Sequence, residues 1–220
     1  MAHADPVTLT LREAAVVAGV PVRAVNRMID AGALPRSVIV AGPGERRLRP
    51  GACHMVRFNA TTGLHLSKAK RELALRWMRE AGPALVEMAR HGRAQVALDD
   101  GITLDLSGPV ADTRRRLEEL EAAKALVVSD PDIRGGMLTL KGTRLGVYEV
   151  AGAIEAGSEA EASAMHPTLT PELARAAVLY AKAHPRPGRP RRSGGAATWG
   201  GTLVSSRTLT AEELAELGRR

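Results

Sequence analysis

The sequence predicts a mainly α protein with short β-hairpins, an α+β fold. Three observations lead there. Apolar residues recur three and four apart along most segments, the spacing of one helix face. Between these segments, short apolar runs flank glycine-centred turns, the pattern of tight hairpins. Only 2% of residues are aromatic while 45% are hydrophobic, so any core is built from Leu, Val, Ala and Met, which suits small helical units. The 220 residues are enough for two small domains and a tail. The expected organisation is a winged helix-turn-helix unit over 1–60, a helix and hairpin connection over 61–125, a second small helix-turn-helix-like unit over 126–184 and an extended tail over 185–220.

The formal net charge is +7 and the isoelectric point about 10.3. That balance fits a nucleic acid or another polyanion as partner. A generally basic composition, with Arg far outnumbering Lys, is the plainer account. Cys53 is the single cysteine, which excludes an intrachain disulfide. No apolar run is long enough to span a membrane, and the N-terminus lacks a signal-peptide core, so the expected location is the cytoplasm.

Thr10 can cap a first helix, with Glu13 completing a capping box. Leu11, Ala14, Ala15 and Ala18 form its apolar face. Gly19-Val20-Pro21 ends it and starts another, because glycine suits a C-terminal cap and proline a first turn. Val22, Val25, Met28 and Ile29 recur at helical spacing until Gly32. Two short helices across a Gly-x-Pro turn are a helix-turn-helix signature. Over about thirty residues this resembles the start of MerR-like and excisionase-like DNA-binding domains. With the apolar face buried, Arg23, Asn26 and Arg27 lie on the other side of the second helix. Arginine can contact guanine or phosphate and asparagine can pair with adenine; a solvated surface face is the alternative. Ser37 to Val40, the turn Ala41-Gly42-Pro43-Gly44 and Glu45 to Arg49 read as a hairpin with a basic return strand. Such a wing would set Arg46, Arg47 and Arg49 along a phosphate backbone, or it is an ordinary charged edge strand.

Cys53, His54 and His65 match no metal-ligand spacing, so no metal or other cofactor is expected, and Cys53 reads as a small buried side chain. Ser67 to Ala81 reads as a capped helix with Leu73, Trp77 and Ala81 on one face. Lys68, Lys70, Arg71, Arg76 and Arg79 line the remainder, as an extension of a DNA surface or as a solvated face. A shorter helix follows from Ala84 to Arg90, then a hairpin around Asp99-Asp100-Gly101. Turn chemistry explains that aspartate pair, and no nucleophile or base joins Asp105, so no enzymatic site is expected. Pro109 to Lys124 is a charged helix with opposite charges three and four apart.

Val127 to Leu145 holds two β-like runs around Gly135-Gly136. Helices follow over Val147 to Ala156, from the capping box Ser158–Glu161 to Met165, and after Thr170-Pro171. Ala174, Ala177, Val178 and Ala181 give the last one its buried face. Ser129-Asp130-Pro131-Asp132, Gly135-Gly136 and Lys141-Gly142-Thr143-Arg144-Leu145 carry a family resemblance. It continues through Ala156-Gly157-Ser158, Glu161 and His166 to Glu172, ending at Tyr180-Ala181. Together these are similar to a small bacterial domain found in type II antitoxins, one of the domains of unknown function, number four-three-three. Met137-Leu138, Gly146, Ala162 and His166 depart from its usual pattern. The resemblance implies a helix-turn-helix-like unit in a Vap-type antitoxin paired with a PIN-type ribonuclease toxin. Lys141 and Arg144 are expected to hold the hairpin to its own helices.

The stretch from His184 to Arg192 is too rich in proline and arginine for regular structure. By that same resemblance, Arg186, Arg189, Arg191, Arg192 and Trp199 would bind the acidic cleft of the toxin. Gly188-Arg189-Pro190 also resembles an AT-hook for the DNA minor groove, and a solvated tail is the third account. Thr210 to Leu217 reads as a short capped helix. The whole predicts a non-enzymatic antitoxin that binds its operator as a homodimer, represses its own operon and neutralises a PIN-type toxin. The alternatives are a stand-alone MerR-like regulator with an effector bound in its middle region, or an excisionase-like architectural factor.

Overall fold

A computed structural model describes residues 8–41, 45–99 and 101–186. The chain divides into two units, Met1–Arg186 and Pro187–Arg220, and the described residues belong to the first. The expected turn tip Gly42-Pro43-Gly44, Asp100, the AT-hook-like core Gly188-Arg189-Pro190, the tail residues Arg191, Arg192 and Trp199, and the Thr210–Leu217 helix lie outside the described residues.

The described chain is helix-rich α+β with small antiparallel sheets. Strand β1 (Leu9–Thr10) runs straight into α1 (Leu11–Ala18). The capping box forms: Glu13 N donates to Thr10 Oγ1 at 3.2 Å, and Thr10 N donates to Glu13 Oε2 at 2.7 Å. Gly19 closes α1 in the left-handed region, at φ 68°. A Cβ there would stand 3.0 Å from Arg57 Nη1 and 3.1 Å from Arg116 Nη1, side-chain ends that can shift, so the left-handed conformation is what calls for glycine. Helix α2 (Val22–Asp30) follows Pro21, which stands just before the helix as its N-cap.

Strands β2 (Ile39–Ala41) and β3 (Arg46–Leu48) make the expected hairpin. β3 is the middle strand of three, with Leu48 opposite both Leu9 and Ile39. Helix α3 (Ala52–Ala60) is not among the expected elements. Ala52, Cys53, Met55, Val56 and Phe58 are all buried, so the segment has no polar face and therefore no visible period.

Helix α4 (Lys68–Ala81) starts where Ser67 caps it, yet its face differs from expectation. Ala74, Leu75 and Met78 are buried; Trp77 and Ala81 are half-buried, and Leu73 is 38% exposed. Two apolar seams lie side by side on this helix. The seam that carries Ala74, Leu75 and Met78 is the one turned to the core. Helix α5 (Ala84–Arg90) and the hairpin β4 (Gln95–Asp99) with β5 (Ile102–Asp105) lead to α6 (Ser107–Ala125). α6 is the spine, packing against α1, α3, α5 and, further on, the last helix.

Strands β6 (Val127–Ser129) and β7 (Leu138–Leu140) pair around a turn in which Arg134, Gly135 and Gly136 all have positive φ. Ser129 Oγ donates to Gly136 O at 2.7 Å across its mouth. Helices α7 (Val147–Ala156), α8 (Glu159–Met165) and α9 (Pro171–Ala183) complete the described chain. The expected Ser158–Glu161 box and Thr170 cap are both formed. Of the expected α9 face, Ala174 and Ala177 are buried while Val178 and Ala181 are half-buried; Ala176 and Ala183 are buried as well.

Two hydrophobic clusters result. One gathers Leu9, Val25, Leu48, Phe58, Met78 and Leu120. The other gathers Leu140, Val147, Val150, Ala162, Leu169 and Ala177. α9 belongs to both, because it packs on α7 along one side and on α6 and α1 along another. Among the described residues, no helix is long and apolar enough to cross a membrane.

Candidate nucleic-acid interface

α2 has a single fully buried side chain, Val25. Its outer face therefore projects, and Arg23 and Arg27 stand on it exposed. Neither makes a side-chain hydrogen bond or ion pair among the described residues. Asn26 and the hairpin arginines are placed differently. Arg46 donates to Asp30 Oδ1 at 2.6 Å and to Asn26 Oδ1 at 3.0 Å, which ties β3 to α2. Arg47 donates to Thr8 Oγ1 at 2.9 Å and to Thr8 O at 3.3 Å, fixing the strand beside β1. Arg49 is exposed at the hairpin exit. Of the six residues expected at a DNA surface, Arg23, Arg27 and Arg49 present free charge. Arg46 and Asn26 spend their polar groups on tying the hairpin to α2, and Arg47 spends its own on Thr8 beside β1.

A groove of about 810 Å³ continues from α2 towards α4. Arg27, Lys68, Arg71, Arg76 and Arg79 line it, against one carboxylate, Glu72. The Lys68–Glu72 contact, at 3.9 Å between exposed groups, neutralises little. The α4 cations are legible in the sequence as a charged face. That Arg76 and Arg79 share a groove with Arg27 is visible only once α4 has rotated onto Ala74 and Leu75.

Two half-buried polar clusters join the elements behind this surface. Arg57 Nη1 donates to Ala18 O at 3.1 Å while its Nη2 pairs with Asp112 at 2.6 Å, joining the end of α1 to α3 and α6. Glu13, only 3% exposed, does more than cap. Its Oε1 lies 3.2 Å from Lys124 Nζ and 3.4 Å from His184 Nε2. Burial pushes its carboxyl up, but the Thr10 amide, Lys124 and His184 outweigh that and hold it below the usual carboxylate range. His54 is buried, and desolvation helped by the charge of Arg114 pushes it down to about 4. Cys53 is pushed up to about 12 by burial and then by Glu13, so the thiol stays protonated. Among the described residues no group of three or more His, Cys, Asp or Glu could hold a metal ion.

In the C-terminal hairpin, Lys141 and Arg144 do not play the expected part. Both are exposed, and their side chains bond to nothing among the described residues. Arg134 does that work, forming a bidentate pair with Glu149 at 2.5 and 2.8 Å. It does so from a backbone in the left-handed region, at φ 52°. Asp105 hydrogen-bonds Ser107 N at 2.8 Å at the start of α6, a capping role. Arg186 lies over the Tyr148 ring at 4.8 Å. Tyr148 donates to His184 O at 2.7 Å, so the point where the chain leaves α9 is pinned.

Residues 127–181 match the family described as "Protein of unknown function (DUF433)". No solved structure matches the chain. Along nearly its whole length it is similar to the "Uncharacterized protein y4eO" of Sinorhizobium fredii (strain NBRC 101917 / NGR234): 35% identical over 223 residues, covering 94% of this chain and 96% of the relative. The chain therefore belongs to one family with y4eO and carries a DUF433 domain in its C-terminal half.

Proposed function

We propose that this protein is a non-enzymatic, DNA-binding antitoxin. It reads its own operator as a homodimer through α1, α2 and the β2–β3 hairpin, a winged helix-turn-helix, and restrains a PIN-type ribonuclease with its C-terminal segment. The observation that carries the DNA reading is the exposed pair Arg23 and Arg27 on α2, both unpaired among the described residues, with Arg27 also lining the groove of Arg71, Arg76 and Arg79. Arg23 and Arg27 contact base edges, and the α4 arginines contact flanking phosphates. The Arg46–Asp30–Asn26 clamp presets the angle of the hairpin against α2 before any DNA arrives.

Fluorescence anisotropy with DNA from upstream of the gene tests this. Binding weakens steeply as salt rises, since each arginine–phosphate contact releases counterions; affinity that ignores salt overturns the reading. The toxin arm has its own test. Truncation after Arg186 leaves operator binding intact and abolishes rescue when the flanking reading frame is co-expressed. Growth rescued equally by the truncated chain refutes the assignment of the tail. Co-purification of the two products, followed by sizing, gives the stoichiometry.

A further inference from the structure

A groove of about 640 Å³ is walled by α6 and α9, with Ile154 of α7 and Glu159 of α8 also lining it. Part of its apolar lining does not serve the core. Val178 on α9 and Leu126 just past α6 are half-buried, and they join neither of the two hydrophobic clusters. Ala122, on the α6 wall, is exposed.

The charges on α9 are ordered along that groove. Glu172, Arg175, Leu179 and Lys182 recur three and four apart, so they form one stripe, with Val178 beside Leu179 at its middle. Glu172, Arg175 and Lys182 are exposed, while Val178 and Leu179 are half-buried. Arg175 Nε donates back to Pro171 O at 3.1 Å. Glu172 and Lys182 make no side-chain hydrogen bond or ion pair among the described residues. Ten residues separate them, about 15 Å of helix rise, and the apolar pair lies between.

A two-fold interface needs a surface that matches itself, each residue meeting its counterpart's partner. This stripe does so in one direction only. Laid antiparallel on its own copy and centred at Ala177–Val178, it sets Glu172 opposite Lys182 of the partner subunit, twice by symmetry. Laid parallel, it would set glutamate on glutamate and lysine on lysine. A uniformly acidic or uniformly basic partner would leave one end of the stripe facing a like charge.

We propose that this face is the homodimer interface, two copies packing α9 against α9 antiparallel about an axis beside Val178. The proposal rests on the homodimer reading above and gives that reading a surface.

Sedimentation equilibrium of the full chain, free of DNA and at low ionic strength where surface charges are least screened, provides the test. The wild type forms a dimer. Glu172→Lys and Lys182→Glu each weaken it at least about tenfold, because two symmetric attractions become two repulsions. The double variant Glu172→Lys, Lys182→Glu restores the affinity to within about threefold of the wild type, since the opposite charges meet again with their places exchanged. A purely structural role would instead make the double variant the weakest of the three. Val178→Glu abolishes the dimer by setting two carboxylates beside the axis, and Glu80→Lys on α4 leaves it unchanged. Circular dichroism confirms that each variant is folded; if one charge reversal unfolds the chain, the other and Val178→Glu decide. A dimer that ignores the reversals, or a double variant no tighter than the singles, overturns this surface and leaves the homodimer reading standing. A wild type monomeric up to about 100 μM overturns it as well. In that case one chain per operator takes the homodimer reading down too, whereas two chains per operator keep it. Co-purification with the flanking gene's product that Val178→Glu abolishes, from a chain that never self-associates, assigns the groove to that partner instead.

Discussion

The chain contains two helix pairs that begin alike and end differently. α1 opens with the Thr10–Glu13 box and α8 with the Ser158–Glu161 box. In each pair a proline then stands at the start of the second helix, Pro21 before α2 and Pro171 within α9. Yet α2 buries only Val25 and lets Arg23 and Arg27 project, whereas α9 buries Ala174, Ala176, Ala177 and Ala183. α9 is held between α7, α6 and α1, so what remains outside is a sparse mixture of Glu172, Arg175 and Lys182. The same local grammar thus makes a projecting helix or a clamped one. The number of neighbours decides which.

The largest effect is expected where the two pairs meet. Glu13 sits on α1 and reaches Lys124 on α6 and His184 just past α9. Replacing it, Glu13→Ala, leaves Lys124 with only the exposed Glu121, at 3.2 Å, as partner among the described residues, leaves His184 facing that half-buried cation, and removes the cap acceptor. Lys124 is about one-third exposed, so the loss falls at the low end for a broken buried pair, about 3 kcal/mol. Urea melts check it. Because the folded carboxyl is held below its ordinary value, its stabilisation is full above the unfolded pKa of about 4.5 and is lost as pH falls through the folded value. A loss under about 0.5 kcal/mol would mean that the two pairs are not joined through this carboxylate.

The next largest effect separates the projecting helix from the clamped one. Arg23→Ala or Arg27→Ala lowers operator affinity by about 10- to 100-fold, the effect of a lost base contact. Arg175→Ala on α9 changes it less than about twofold. Equal losses would erase the distinction between the two helices as DNA readers.

A smaller effect confines itself to the first cluster. His54 is held neutral far below its ordinary 6.5, so the unfolded chain binds its proton first as pH falls. Stability contributed by the neutral ring is complete above about pH 6.5 and declines towards about pH 4. Between pH 7 and 5 the decline amounts to about 2 kcal/mol. His54→Gln flattens that slope. Hydrogen exchange at α3 quickens in acid before exchange at α7 does. Uniform quickening across both clusters would show that acid acts elsewhere.

Local chemistry made much of the fold legible in advance. Thr10 with Glu13, Ser158 with Glu161 and Thr170 before Pro171 marked helix starts correctly, because a cap depends on residues three apart and nothing else. Gly135 and Gly136 marked a reversal for the same reason. Helix α3 escaped notice because burial on every side erases the period that reveals a helix. The candidate site was half legible. Exposed arginines on α2 followed from the apolar face opposite them, but no sequence rule separates Arg46, bound to Asp30, from Arg49, which is free. Glu13 looked like a cap alone, since its second partner is more than a hundred residues away.

By itself, the sequence determined the capped helices, the three hairpins, the excess of positive charge and the family signature around Ser129 to Leu145. These depend on neighbours within a few residues, where the chain's own geometry leaves little choice. Tertiary structure alone decided which seam of α4 turned inward and which arginines kept their charge free. It also decided that α9 would bind the two clusters into one unit. Each of those outcomes depends on packing between distant segments, where several apolar faces compete and only the assembled core selects among them.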